Sequence, residues 1–178
     1  SPRHRLQPVY SQQEYAKPGD SLNYRIPVVI DIENKKVIEP STALFQSQYY
    51  VTRPEWDKNG KTLTFEFNER GHKHFRILEM DLKGNVRTLI EEANDKYVAY
   101  SRNLRRNFDG GNKILWKSDR DGHAHLYIYD RKTEKLTQVT KGDFWVRDVQ
   151  HIDYEEGKKK GTIYFSANGM GYKNMGTV

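Results

Sequence analysis

Apolar and polar residues alternate along this chain in short runs separated by turn-forming clusters, the period-two pattern of strands rather than the longer period of helices. The clearest example spans Asn112 to Thr140. Ile114-Leu115-Trp116 is an apolar run, Asp119-Arg120-Asp121-Gly122 a tight polar turn, and Leu126-Tyr127-Ile128-Tyr129 a run of β-branched and aromatic residues. Asp130 closes that run, Lys132-Thr133-Glu134-Lys135 makes another turn, and Leu136 to Thr140 is a third strand. Three strands joined by two reverse turns predict an antiparallel meander.

The pattern recurs. At a shift of 51 residues, Leu63 to Phe67 stands for Ile114 to Ser118, Glu69 to His74 for Arg120 to His125, and Phe75 to Leu78 for Leu126 to Tyr129. Asp81 with Lys83-Gly84-Asn85 repeats Asp130 and its turn. A further copy begins at Thr162 to Gly169, and a partial one lies at Ile26 to Val37. Several strands per repeat of about 50 residues predict the blades of a β-propeller, not a helical solenoid. The expected fold is all-β: a partial β-propeller of three to four blades, with repeats near 22–55, 56–106, 107–155 and an incomplete 156–178.

Between these runs the chain is less regular. Ser1 to Ser21 is a polar, proline-containing lead, with a turn at Lys17-Pro18-Gly19-Asp20. Arg25 to Ile32 alternates as a strand, although Pro27 implies an edge or a bulge. Tyr50 to Trp56 reads as an innermost strand, Tyr97 to Tyr100 as a strand, and Asn107 to Asn112 as a hairpin turn. Glu91 to Lys96 has the composition of a short helix, and the imperfect alternation from Phe144 to Ile152 implies a bulge. Trp56, Trp116 and Trp145 recur near strand centres and are expected in the core.

Composition narrows the function. Hydrophobic residues are only 35%, but 12 tyrosines, 7 phenylalanines and 3 tryptophans supply the area that stacked sheets need. No apolar run approaches a membrane span. No signal peptide is visible, and a first residue other than Met reads as a processed or excised segment. Without cysteine there are no disulfides and no thiolate chemistry. The net charge of +6 is spread among acidic residues along every repeat, so a solvated face of mixed sign explains it better than nucleic-acid binding.

Candidate chemistry is sparse. The pairs His72/His74 and His123/His125 could each present two imidazoles on one strand face to a metal. Their shared repeat position, just after a turn glycine, favours a turn hydrogen bond or packing instead, and no metal or other cofactor is expected. Asp119, Asp121 and Gly122 lack the twelfth-position glutamate of a calcium loop. Arg102, Arg105 and Arg106 follow Tyr100. Arg102 and Arg105 are the candidate substrate-binding residues, because a guanidinium on a cavity-facing loop can hold a substrate carbonyl or carboxylate.

Five segments together resemble a known family: YAKPGD (15–20), IPVVIDIENKK (26–36), W-x-K-x-G-K-x-L-x-F-x-x-N-x-R-G-H (56–72), ILWKSDRDGHAHLYIYD (114–130) and QVTKGDFWV (138–146). Their order is similar to that in the N-terminal β-propeller of dipeptidyl peptidase IV-like serine peptidases, in the prolyl oligopeptidase clan. The resemblance implies an eight-bladed propeller that screens substrates and caps an α/β-hydrolase domain, which removes an N-terminal dipeptide, usually after proline or alanine. It also implies a peptide substrate, a periplasmic or secreted location, and a glutamate pair for the substrate amino terminus that should precede Ser1. Glu91-Glu92 and Glu155-Glu156 are not read as that pair, since each is expected at a turn. No serine here sits in a Gly-x-Ser-x-Gly elbow, so the chain alone should not hydrolyse peptides. The alternative is a non-catalytic propeller that binds proteins. In either case the open sheet edges invite pairing with a partner or a second copy.

Overall fold

The computed structural model describes residues 12, 17, 19–21, 23–58, 60–100, 103–158 and 160–169. They form four antiparallel sheets that follow one another along the chain. Sheet I is the hairpin β1 (Val29–Asp31) and β2 (Lys36–Ile38). Sheet II contains β3 (Gln48–Val51), β4 (Glu55–Trp56), β5 (Thr62–Glu69), β6 (His74–Asp81) and β7 (Val86–Ala93), with β3 and β4 both pairing β5. Sheet III is the meander β8 (Leu104–Phe108), β9 (Lys113–Ser118), β10 (His125–Asp130) and β11 (Lys135–Gln138). Sheet IV pairs β12 (Phe144–Asp153) with β13 (Thr162–Gly169). This is a partial β-propeller in which sheets II and III are whole blades.

The alternation seen in the sequence sorts side chains between neighbouring sheets. On β5, Leu63, Phe65 and Phe67 pack with Val29 and Phe45 on the sheet I side. On β9, Ile114 and Trp116 turn toward sheet II, and Leu115 turns toward sheet IV. A run of three consecutive apolar residues is therefore buried on both faces, as strands inside a layered stack must be. Each fully buried large side chain contributes about 2 kcal/mol relative to exposure. An exposed ion pair such as Lys58–Glu156 (3.0 Å) contributes about 1 kcal/mol or less. Apolar burial thus outweighs surface charge in holding the sheets together.

The turns repeat as well. Asp31 accepts from the Asn34 N–H, Asp81 from the Lys83 and Asn85 N–H groups, and Asp130 from the Lys132 and Thr133 N–H groups. Each aspartate ends the penultimate strand of its sheet, which places β1–β2 as the counterpart of β6–β7 and β10–β11. Gly84 lies in one of these turns at φ 88°, where a Cβ would stand 2.5 Å from the Glu39 carbonyl oxygen.

A polar lock joins sheets II and III inside their apolar interface. The buried Glu92 carboxylate accepts from Trp116 Nε1 at 2.6 Å, from Ser118 Oγ at 2.8 Å, and from the Arg120 guanidinium. The W-x-S-x-R spacing brings three donors from sheet III to one acceptor on sheet II.

Several expectations need correction. Glu91 to Lys96 is not helical: Glu91 and Glu92 belong to β7, opposite Arg76 and Phe75, so they do not fall at a turn either. Cross-strand pairing, with Arg76 2.8 Å from Glu91, outweighs local composition there. Tyr97 to Tyr100 is not a strand, because side-chain and turn contacts take its backbone: the Lys96 and Tyr97 N–H groups bond Asn94 Oδ1, and the Val98 N–H bonds the His72 carbonyl. Of Arg25 to Ile32 only Val29–Asp31 is strand, and the backbone of Arg25 bonds the Gln48 amide instead of a ladder. Tyr50 to Trp56 is broken between β3 and β4, where Pro54 has no N–H to give. Trp116 is 1% exposed, but Trp56, on the two-residue β4, and Trp145, on the two-stranded sheet IV, are 56% and 39% exposed and do not belong to the core. The bulge in Phe144 to Ile152 is present, as register shifts at Val146/Asp148 and Val149/His151. The Lys17–Asp20 turn closes with Asp20 N to Lys17 O at 3.0 Å.

Two predictions follow from the lock and the turns. Glu92→Gln removes the charge facing Arg120 and should cost about 2 kcal/mol, read as a lower urea midpoint at unchanged slope. The Asn34 N–H, the Asn85 amide and the Thr133 N–H hold the carboxyls of Asp31, Asp81 and Asp130 below their ordinary value of 3.8. Depressed folded values mean stability that is present above the unfolded value and lost as pH falls through the folded one. Asp130→Ala should therefore flatten the acid limb of the stability–pH curve below about pH 4.

Candidate binding site at the inner edge

The first strand of each sheet forms its inner edge, facing the axis around which blades are arranged. Here β3, β4 and β8 carry the polar and aromatic groups that set the site apart from the core. On β5 behind them, Thr64, Glu66 and Asn68 alternate with the buried Leu63, Phe65 and Phe67, so this strand turns a polar face toward sheet III.

Arg105, on β8, lies across that seam. Its Nη2 is 2.6 Å from Glu55 Oε2, its Nε is 3.4 Å from Glu66 Oε1, and its buried Nη1 has no hydrogen-bond partner among the described residues. The guanidinium thus ties sheet III to two strands of sheet II. Burial raises the Glu66 carboxyl, and Arg105 partly offsets this. Burial, with the Glu66 charge behind it, pushes the Tyr50 phenol up to about 12. Arg106 is exposed on the same strand. Arg102 lies outside the described residues.

Beside this seam, the turn between β5 and β6 and the loop after β7 bring aromatic rings together. His72 is stacked on Tyr100 at 4.7 Å and 26°, and it meets Tyr49 edge-on at 4.5 Å and Tyr97 at 5.7 Å. Its Nδ1 is 3.1 Å from Asn68 Oδ1. Burial first, and a hydrogen bond with Tyr49 second, raise the Tyr100 phenol. Sequence reasoning missed this cluster, although Tyr97 and Tyr100 within one short segment were a partial signal. The partner of Trp116, Ser118 and Arg120 was likewise hidden, since Glu92 lies on another sheet.

The imidazoles of each histidine pair have separate partners. His72 sits in the turn at φ 56°, so it does not share a strand face with His74, whose Nδ1 is 3.0 Å from Glu91. The His123 and His125 rings are 6.2 Å apart. His123 packs on Trp145 at 4.4 Å, and His125 bonds Thr140 Oγ1 at 3.2 Å. Among the described residues no group of three or more metal-ligating side chains is gathered. Asp121 accepts instead from the Tyr127 hydroxyl. Among these same residues no helix is long and apolar enough to cross a membrane.

The family model for the dipeptidyl peptidase IV (DPP IV) N-terminal region matches residues 1–174. Among solved structures, dipeptidyl peptidase 4 of Porphyromonas gingivalis is similar with a TM-score of 0.63 and 19% identity, over 79% of this chain and 19% of its own. A candidate dipeptidyl aminopeptidase IV from Bacteroides ovatus gives a TM-score of 0.54 and 21% identity, over 85% of this chain and 25% of its own. The chain spans a quarter or less of either structure. At such identities the likeness establishes the fold.

Replacing Arg105 by Met removes the cation that restrains Glu66. The Glu66 carboxyl should then titrate at a higher pH than in the unsubstituted chain, as read from its side-chain carbon resonance.

Proposed function

Because the chain belongs to the family of dipeptidyl peptidase IV N-terminal regions, we propose that it is the propeller portion of a serine exopeptidase. In this reading it gates substrate and supports an α/β-hydrolase domain on the same polypeptide. The family match carries the proposal. Two structural features support it. On sheet I, Ile30 and Val37 are 61% and 56% exposed, the flanking Ile26, Val28 and Ile32 are 42%, 48% and 84% exposed, and sheet IV leaves Trp145 and Tyr164 at 39% and 45%. Apolar strand faces of this kind await another sheet. In this reading further blades cover them, and the whole of 1–178 is part of one propeller domain; in their absence the same faces and edges would pair with a second copy. The location would be periplasmic or secreted, as for the family.

The inner edge is where a peptide would be screened. Arg102 and Arg105 would hold a substrate carbonyl or carboxylate. With no Gly-x-Ser-x-Gly elbow in the chain, the acyl-transfer chemistry belongs to the hydrolase domain.

An aminopeptidase assay with a Gly-Pro chromogenic substrate, run on this chain and on the longest product of its gene, tests the proposal. The long product should cleave and be blocked by a serine-directed phosphonate, while this chain stays inactive. If neither cleaves, the exopeptidase reading fails and a protein-binding propeller takes its place.

A further inference from the structure

At the end of β5 opposite His72, corresponding turns of three consecutive sheets are tied together. Lys58, in the β4–β5 turn, is 3.0 Å from Glu156, in the β12–β13 turn. The Gly157 N–H donates to Asp109 Oδ1 at 3.0 Å, and Lys113 Nζ to the Tyr154 hydroxyl at 2.8 Å. Between these turns lies a cavity of about 330 Å³, large enough for a small ligand. Two features of its lining do not serve the core. The Trp56 indole is 56% exposed, although a ring of that size gains most from burial. The Arg131 side chain is 9% exposed, with Nη1 bonded to Glu79 and Nη2 to Thr64 Oγ1. Its buried Nε has no hydrogen-bond partner among the described residues, an arrangement that costs stability unless an acceptor meets it. Gly111, at φ 93°, shapes the wall: a Cβ there would stand 2.8 Å from Asp57 Oδ1.

The charges of the lining select against an ion. Glu55 is held by Arg105 at 2.6 Å, Asp109 by Lys113 at 3.0 Å, Glu156 by Lys58, and the Arg131 guanidinium by Glu79. The walls therefore offer donors and acceptors of both kinds beside an apolar ring, with little charge left to neutralise. A hydroxyl both donates and accepts, so a neutral, hydroxyl-rich ligand can satisfy such walls. A pyranose with equatorial hydroxyls adds a flat face of axial C–H bonds for the indole. We propose that Trp56, Asp57 and Arg131 form a binding site for a neutral sugar of this kind. Its ring lies on Trp56, its rim hydroxyls donate to the Asp57 carboxylate, and one hydroxyl oxygen accepts from Arg131 Nε. The site is separate from the inner edge and does not depend on the exopeptidase reading.

The 178-residue chain has three tryptophans, so its indole N–H resonances report the site directly. Titration with methyl β-glucoside should shift the Trp56 signal with a Kd on the order of 1 mM and leave Trp116 and Trp145 in place. Asp57→Ala should weaken binding about tenfold, and Trp56→Ala, read by calorimetry with cellotetraose, by at least about tenfold. In both variants an unmoved Trp116 signal shows that its bond to Glu92, and so the pairing of the sheets, is intact. Cellotetraose bound as tightly as the glucoside marks a single sugar residue as the ligand, and tighter binding marks a saccharide chain; both uphold the site. An equal response to sorbitol, which has the hydroxyls without the ring face, overturns the inference. So does a stronger response to glucosamine or glucuronate, the charged analogues. A Trp56 signal that none of these sugars moves means that water alone fills the cavity, and the proposal fails.

Discussion

The Glu92 carboxylate is the contact on which the geometry of the two whole blades depends. It is buried at the end of β7, and the next sheet supplies all three of its donors: Trp116, Ser118 and Arg120. A buried charge is tolerable only when its acceptor positions are filled, so sheets II and III cannot slide past each other without exposing or stranding it. Apolar clusters hold the sheets together, but such clusters tolerate displacement. Directional bonds to a single carboxylate specify one arrangement.

A second set of polar bonds follows β5. Thr64 and Glu66 on its polar face meet Arg131 and Arg105 from sheet III, and Arg131 also reaches Glu79 on β6. The interface between the two blades is therefore apolar in the middle, where Ile77, Ile90, Ile114 and Tyr129 meet, and polar along its flanks. The inner-edge site inherits its position from this arrangement. The loop that carries Tyr97 and Tyr100 leaves β7 at Ala93, one residue past Glu92, and the Asn94 N–H is tied to the Lys73 carbonyl at 3.0 Å. A loop anchored at both the lock and the neighbouring turn can present its rings reproducibly.

Strand β5 also shows how one strand can present an apolar face and a polar face at once. Leu63, Phe65 and Phe67 bury against sheet I, while the residues between them hold Arg105, His72 and Arg131. The period of two in a strand makes this division possible, since neighbouring side chains never compete for the same face.

The sequence by itself determined whatever depends on near neighbours. Alternation predicted the strands around Leu63, Phe75, Ile114 and Leu126, and the recurring Asp-turns at Asp81 and Asp130 revealed the repeat, because strand period and turn chemistry are local. The missing nucleophile elbow and the family resemblance were also legible at that level. Tertiary structure decided the rest. Glu91 and Glu92 extend a strand only because β6 lies beside them, and Trp116 is buried while Trp56 and Trp145 are exposed, since Trp116 alone of the three lies in the apolar interface between sheets II and III. The partners of Glu92, Arg105 and His72 come from other strands or distant turns. No spacing along the chain can state such pairings, since they are set by how sheets stack and not by the order of residues within a strand.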